Sequence, residues 1–221
     1  RRRRRGDAEL AVVILPVDSM APAPGPVRET AEVLLRGGVA AFPTDTVYGL
    51  SCSLMDPSAV EFVYRLKRRP AHLSVIALIP EPDAVHPLVE AVPDVAEALM
   101  KRFWPGPLSI IFQASPLVPL RVRGERGTVA LRVPKHPLCL ALLDAVGGPL
   151  VSSSANLSGQ PPCVDVIEIV RVFGNQIDVV LDGGRAEGGA PSTVVDVSSG
   201  RAELVRAGAV DSAEFTNWPG H

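Results

Sequence analysis

Apolar residues in this chain gather in short unbroken runs, a pattern that predicts strands buried on both faces. Residues 10–15, 39–42, 75–79, 108–112, 128–133, 150–153, 177–181, 193–197 and Glu203–Arg206 read as strands. Between them apolar positions recur at helical spacing. Val27, Ala31, Leu34 and Leu35 mark a helix over 27–36, and Val60, Val63, Tyr64 and Leu66 mark another over 57–67. Further helices are expected over 92–103, Pro137–Val146 and 164–173. Gly37-Gly38 ends the first helix, and the Pro-Ala-Pro-Gly-Pro segment 22–26 reads as a loop before it. Strands and helices alternate with no fixed repeat and no low-complexity linker. The economical fold is one α/β domain with an open, twisted, mostly mixed sheet flanked by helices. It spans 10–209, between an Arg-rich disordered tail (1–9) and a C-terminal tail (210–221).

Composition narrows the class. Hydrophobic residues make up 47% of the 221, enough for a large core, and a charged fraction of 21% is too low for a disordered chain. The net charge of −2 argues against a globally basic nucleic-acid binder, so any positive site must be local. Cys52, Cys139 and Cys163 lie far apart, with no C-x-x-C pair and no histidine at ligand spacing. Reduced, buried thiols in a cytoplasmic, reducing setting are the expectation, with no dedicated metal cage. No apolar run approaches the roughly 20 residues of a membrane span. Arg1 to Arg5 read as a solvated end; Asp7 and Glu9 weaken a transit-peptide reading, and with no initiator Met a fragment or a processed form is the expectation.

Familiar nucleotide signatures are absent: there is neither G-x-x-x-x-G-K-[ST] nor G-x-G-x-x-G. What stands out is Pro43-Thr-Asp-Thr-Val-Tyr-Gly-Leu50 at the end of a strand, followed one helix later by Lys67-Arg68-Arg69-Pro70. Hydroxyls facing fixed cations suggest an anion pocket, with phosphate as the first choice. Ser152-Ser153-Ser154-Ala155-Asn156, Asp182-Gly183-Gly184 and Pro191-Ser192-Thr193 also sit at strand ends. Turn capping accounts for each alone; together they suggest a ligand cleft at the strand ends. Arg132, inside the apolar run Val129–Pro134, needs an anionic partner, either a structural carboxylate or a bound carboxylate or phosphate.

In this order and spacing, with Phe103-Trp-Pro-Gly-Pro-Leu-Ser109, Ser154-Ala-Asn-Leu-Ser-Gly159, Ser192-Thr-Val-Val-Asp196 and Arg206-Ala-Gly208, these segments resemble the YrdC-like threonylcarbamoyl-AMP synthases. The resemblance covers roughly residues 12–209 and implies the short, single-domain type. It implies ATP, bicarbonate and L-threonine as substrates, with Mg²⁺, and supply of threonylcarbamoyl-AMP to the machinery that modifies tRNA. By matching position, Lys67 and Arg69 hold the triphosphate. Thr128, Ser152, Ser154 and Asn156 contact the nucleotide, and Arg206 its phosphate or ribose region. Thr46, Arg132 and Ser192 hold threonine, with Arg132 forked onto its carboxylate. Two positions depart from the family pattern: Leu73 stands where an Asn or Lys that touches ATP is usual, and Leu78 where some members place a threonine-contacting His. His72 is the nearest polar substitute. A non-catalytic RNA-binding module using Arg65, Lys67, Arg68 and Arg69 is the alternative. A carbamoyl-transfer domain detached from a hydrogenase-maturation protein ranks third.

Overall fold

A computed structural model of the chain describes residues 11–70, 75–123, 126–186, 190–211 and 214. The Arg-rich tail, the start of the first predicted strand, His72, Leu73 and most of the C-terminal tail lie outside the described residues.

Among the described residues, ten strands form one sheet: β1 (Val13–Pro16), β2 (Ala40–Pro43), β3 (Tyr48–Ser51), β4 (Ile76–Leu78), β5 (Leu108–Gln113), β6 (Thr128–Arg132), β7 (Leu150–Ser154), β8 (Val179–Asp182), β9 (Thr193–Asp196) and β10 (Glu203–Arg206). Their order is β1-β8-β2-β3-β7-β4-β6-β5-β9-β10. The sheet is mixed: β8 is parallel to β1 and β2, and β4 to β6, while β7 runs antiparallel to both its neighbours. β7 changes partner midway. Ser153 and Ser154 pair with β3, whereas Leu150 to Ser152 pair with β4, so this strand joins the two halves of the sheet.

The helices are α1 (Pro24–Leu35), α2 (Pro57–Leu66), α3 (Asp94–Phe103), α4 (Leu120–Arg123), α5 (Pro137–Val146) and α6 (Val166–Phe173). Several bounds differ from the sequence expectation. α1 begins inside the segment read as a loop. Pro24 and Pro26 sit in its first turn, where the missing N–H has no intrahelical partner to lose. Asp56 and Asp165 cap α2 and α6 by accepting backbone N–H bonds, which sets α6 to start at Val166. β3, the short α4 and the 3₁₀ turn Pro82–Leu88 were not foreseen. β3 is short and interrupted by Gly49, and the 3₁₀ turn is broken by Pro87, so neither carries a clear period.

Alternation along the strands divides the core. Ala41, Tyr48, Leu50, Val151, Leu131 and Ile110 face the larger cluster, which α2, α3 and α6 cover. Ala40, Phe42, Leu78, Leu150, Val179 and Leu181 face the other way, under Leu34 of α1 and Leu138 and Leu142 of α5. That second cover stops at Leu78 and Leu150. Beyond them no described helix covers the same face of the sheet, and there the cleft opens.

Candidate active site

The floor of the cleft follows from strand periodicity. Thr128, Ala130 and Arg132 of β6, Ser152 and Ser154 of β7, and Val194 and Asp196 of β9 occupy alternate positions and line a cavity of about 720 Å³. The sequence placed a cleft at strand ends; the structure extends it across the open sheet face. Gly49 of β3 keeps one wall thin. A Cβ there would lie 3.3 Å from Ser152 Oγ and 3.5 Å from Thr44 Cγ2.

Thr46, Arg69, Thr128, Arg132, Ser152, Ser154, Ser192 and Arg206 all line this cavity; Lys67 and Asn156 do not. The difference between Lys67 and Arg69 is set by the end of α2. Arg68 adopts φ 51°, Arg69 N–H bonds Tyr64 O at 2.9 Å, and Arg68 N–H bonds Arg65 O at 3.0 Å. This is a Schellman turn with an arginine where glycine is usual. It reverses the chain between the two cations. Lys67 goes inward, 1% exposed. Its ammonium donates to Ser154 O and, at 2.9 Å each, to Asn156 O and Asn156 Oδ1. Burial, supported by the neighbouring Arg69 guanidinium, pushes its pKa down to about 7. Three oxygens around one ammonium match the three protons of the charged form. Lys67 therefore holds the loop that follows β7, and Arg69 faces the cleft, its guanidinium bonded to the Tyr64 hydroxyl.

Arg132, 5% exposed, has much of its fork occupied. Nε donates to Gly106 O at 2.9 Å, Nη2 pairs with Asp45 Oδ1, and Nη1 reaches Thr46 Oγ1 at 3.5 Å. Asp45 Oδ2 also accepts from Lys135 N–H at 3.2 Å. Of the two partners open for Arg132 in the sequence, the structure supplies the carboxylate. The Trp104-Pro-Gly-Pro107 turn sets the other contact. Gly106 N–H bonds Val133 O at 2.9 Å, and a Cβ on Gly106 would fall 2.4 Å from Phe103 O. Only glycine fits the turn that presents this carbonyl to Arg132.

On the far wall, Arg206 donates to Ser192 O at 2.7 Å and to Ser192 Oγ at 3.1 Å. Its pKa is lowered by burial and then by the like charges of Arg69 and Arg132. The like charges of Arg69 and Arg132 thus reach Arg206 across one cavity, and an anion placed among the three guanidinium groups would offset that repulsion. Asp45, Asp196 and Arg126 were not singled out from sequence. The last two line the cavity, with Asp196 Oδ1 accepting from Ser198 N–H at 2.8 Å. Leu78 is 1% exposed and packs in the core beneath α5. The three cysteines are free and buried. Among the described residues no three His, Cys, Asp or Glu side chains gather to hold a metal, and no helix is long and apolar enough to cross a membrane.

The fold and cleft define an α/β protein that gathers cations and hydroxyls on an open sheet face. The chain belongs to the Sua5/YciO/YrdC family, whose model, described as telomere recombination, matches residues 32–208. It is 36% identical to a threonylcarbamoyl-AMP synthase of Pyrococcus abyssi over 86% of its length, and spans 56% of that relative. It is 36% identical to the threonylcarbamoyl-AMP synthase of Marinobacter nauticus, with 77% of this chain and 90% of the relative covered. The crystal structure of P. abyssi Sua5 complexed with L-threonine matches with a TM-score of 0.89 at 33% identity, covering 95% of this chain and 61% of that one.

Proposed function

We propose that this protein is a threonylcarbamoyl-AMP synthase, forming threonylcarbamoyl-AMP and pyrophosphate from L-threonine, bicarbonate and ATP. The observation that carries this reading is the convergence of Arg69, Arg132 and Arg206 on a cavity whose remaining polar lining is mostly hydroxyl. The names of the relatives support it over the RNA-binding alternative.

The chemistry suits a site with no protein nucleophile. Threonine's amine and bicarbonate condense to N-carboxythreonine with loss of water. The new carboxylate oxygen attacks the α-phosphorus of ATP, and the bond from that phosphorus to the bridging β-phosphate oxygen breaks, releasing pyrophosphate. The protein's work is to hold mutually repelling anions in line and to neutralise charge on the leaving group. Arg69 takes the triphosphate, and Thr128, Ser152 and Ser154 the nucleotide. Lys67 and Asn156 act by fixing the loop after β7. Arg132, Thr46 and Ser192 take threonine, with Arg206 serving the phosphate side. Mg²⁺ would accompany the nucleotide and offset its phosphate charge; the described cavity lining would offer it hydroxyls and the carboxylate of Asp196. The product passes to the tRNA-modifying machinery, and the setting is cytoplasmic.

The test is pyrophosphate release with ATP, Mg²⁺ and bicarbonate, with and without threonine. Threonine-dependent release, with threonylcarbamoyl-AMP identified by mass, is expected. Release indifferent to threonine, or none at any substrate concentration, sinks the reading.

A further inference from the structure

Ser109 lies in β5, outside the cleft lining, and is 0% exposed. Its hydroxyl oxygen is 2.8 Å from Ser192 Oγ, its one hydrogen-bonding partner among the described residues. Which hydroxyl donates follows from what each proton can reach. If Ser192 donated, the Ser109 proton would be buried with no acceptor, a full desolvation penalty for nothing gained. Ser109 therefore donates. Ser192 Oγ also accepts from Arg206 Nη2 at 3.1 Å, so both its lone pairs are taken. Its own proton has no protein acceptor among the described residues, and the cleft is the one place left for it.

On the opposite wall Thr44 Oγ1 gives its proton to Val47 O at 2.7 Å and accepts from the N–H groups of Thr46 and Val47 at 3.2 and 3.3 Å, so its lone pairs are taken as well. Thr46 Oγ1 accepts from Arg132 Nη1 at 3.5 Å. Each wall thus sets a hydroxyl beside a guanidinium, Thr46 with Arg132 and Ser192 with Arg206. A donor hydroxyl beside a guanidinium suits an anionic oxygen, and the carboxylate is the anionic group of an amino acid.

We propose that Ser109 is a positioning residue that makes Ser192 an obligate hydrogen-bond donor to the carboxylate of the bound amino acid. This rests on the assignment of Ser192 to the threonine side. Without Ser109, the Ser192 proton is free to rotate into the vacated space, and one lone pair turns towards the carboxylate.

The test compares wild type with Ser109→Ala, Ser109→Cys, Ser192→Ala and the double variant Ser109→Ala/Ser192→Ala, by steady-state pyrophosphate release and thermal melting. Ser109→Ala is expected to raise the threonine KM by about 5- to 20-fold, with the ATP KM and kcat within about twofold. Ser109→Cys keeps the shape but donates poorly; it should melt like wild type and still show the raised threonine KM. The double variant should be no worse for threonine than Ser192→Ala alone. A threonine KM unchanged in Ser109→Cys, an equal loss in kcat and both KM values, or additive effects in the double variant overturns the inference. Wild type without threonine-dependent activity overturns the functional reading on which it stands.

Discussion

The ammonium of Lys67 donates to both the main-chain and the side-chain oxygen of Asn156, each at 2.9 Å, and to Ser154 O besides. A buried cation ties the end of α2 to the loop after β7, while the arginine two residues on reaches the ligand cavity.

Replacing Lys67 by Met keeps the aliphatic stem and removes every donor. The oxygens of Ser154 and Asn156 lose their shared partner, at a cost on the order of 2–4 kcal/mol. The expected result is a lower melting temperature together with an ATP KM raised by about tenfold or more. A Lys67→Met protein that melts lower but binds ATP normally would make Lys67 purely structural.

The depressed pKa of Lys67 makes a pH prediction with a definite sign. The folded state releases this proton near 7, the unfolded chain only near the ordinary lysine value. Between those limits the unfolded chain binds more proton, so this residue's contribution to stability rises with pH, by at most about 1.4 kcal/mol per unit. Lys67→Met should flatten that slope in a comparison of melting curves against wild type. Activity runs the other way. A neutral amine has two protons for three oxygens, so kcat/KM for ATP should fall as pH rises through about 7. Saturating ATP, a polyanion beside the site, should move that fall in kcat upward. A profile flat from 6 to 9 would remove the protonated Lys67 from the mechanism.

What was readable in the sequence was the chemistry of positions more than their placement. Arg132 stands as a lone charge in an apolar strand, and that alone says it has an anionic partner. Nothing local says the partner is Asp45, because the pairing depends on where β2 and β6 fall in the sheet. Lys67 and Arg69 look equivalent as letters. One left-handed residue between them buries the first and leaves the second lining the cavity. β3 was missed because Gly49 and Ser51 break its apolar run, yet it is Gly49 that leaves room in the cleft. The buried Ser109–Ser192 contact joins two ordinary-looking serines, one in β5 and one just before the neighbouring β9, and only strand order brings them together.

Asp45 has a separable role. Its carboxylate offsets the buried charge of Arg132 and fixes the Nη2 corner of the fork, leaving Nη1 on the Thr46 side. Asp45→Ala leaves that guanidinium buried and unpaired, which should cost about 3–5 kcal/mol. Asp45→Asn keeps an acceptor and should recover part of that stability, with a threonine KM still raised because Arg132 is less firmly held. Arg132→Lys cannot reach Gly106 O and Asp45 together, and should raise the threonine KM at least about tenfold while ATP binding holds. Equal effects on both substrates would place Arg132 outside the amino-acid half of the cleft.

Arg68 offers a test of the turn itself. Its φ of 51° lies in the left-handed region, which costs an L-residue about 1–2 kcal/mol relative to glycine. Glycine relieves that strain but starts from a more flexible unfolded chain, which takes back roughly 0.5–1 kcal/mol. The Arg68 side chain is exposed and lines no part of the cavity. Arg68→Gly should therefore stabilise the protein by at most about 1 kcal/mol and leave both KM values unchanged, since Lys67 and Arg69 keep their directions. Arg68→Val, β-branched at the same φ, should be destabilising and should weaken ATP binding as the turn relaxes. If Arg68→Val matches wild type in melting temperature and ATP KM, the turn does not control how the two cations are aimed.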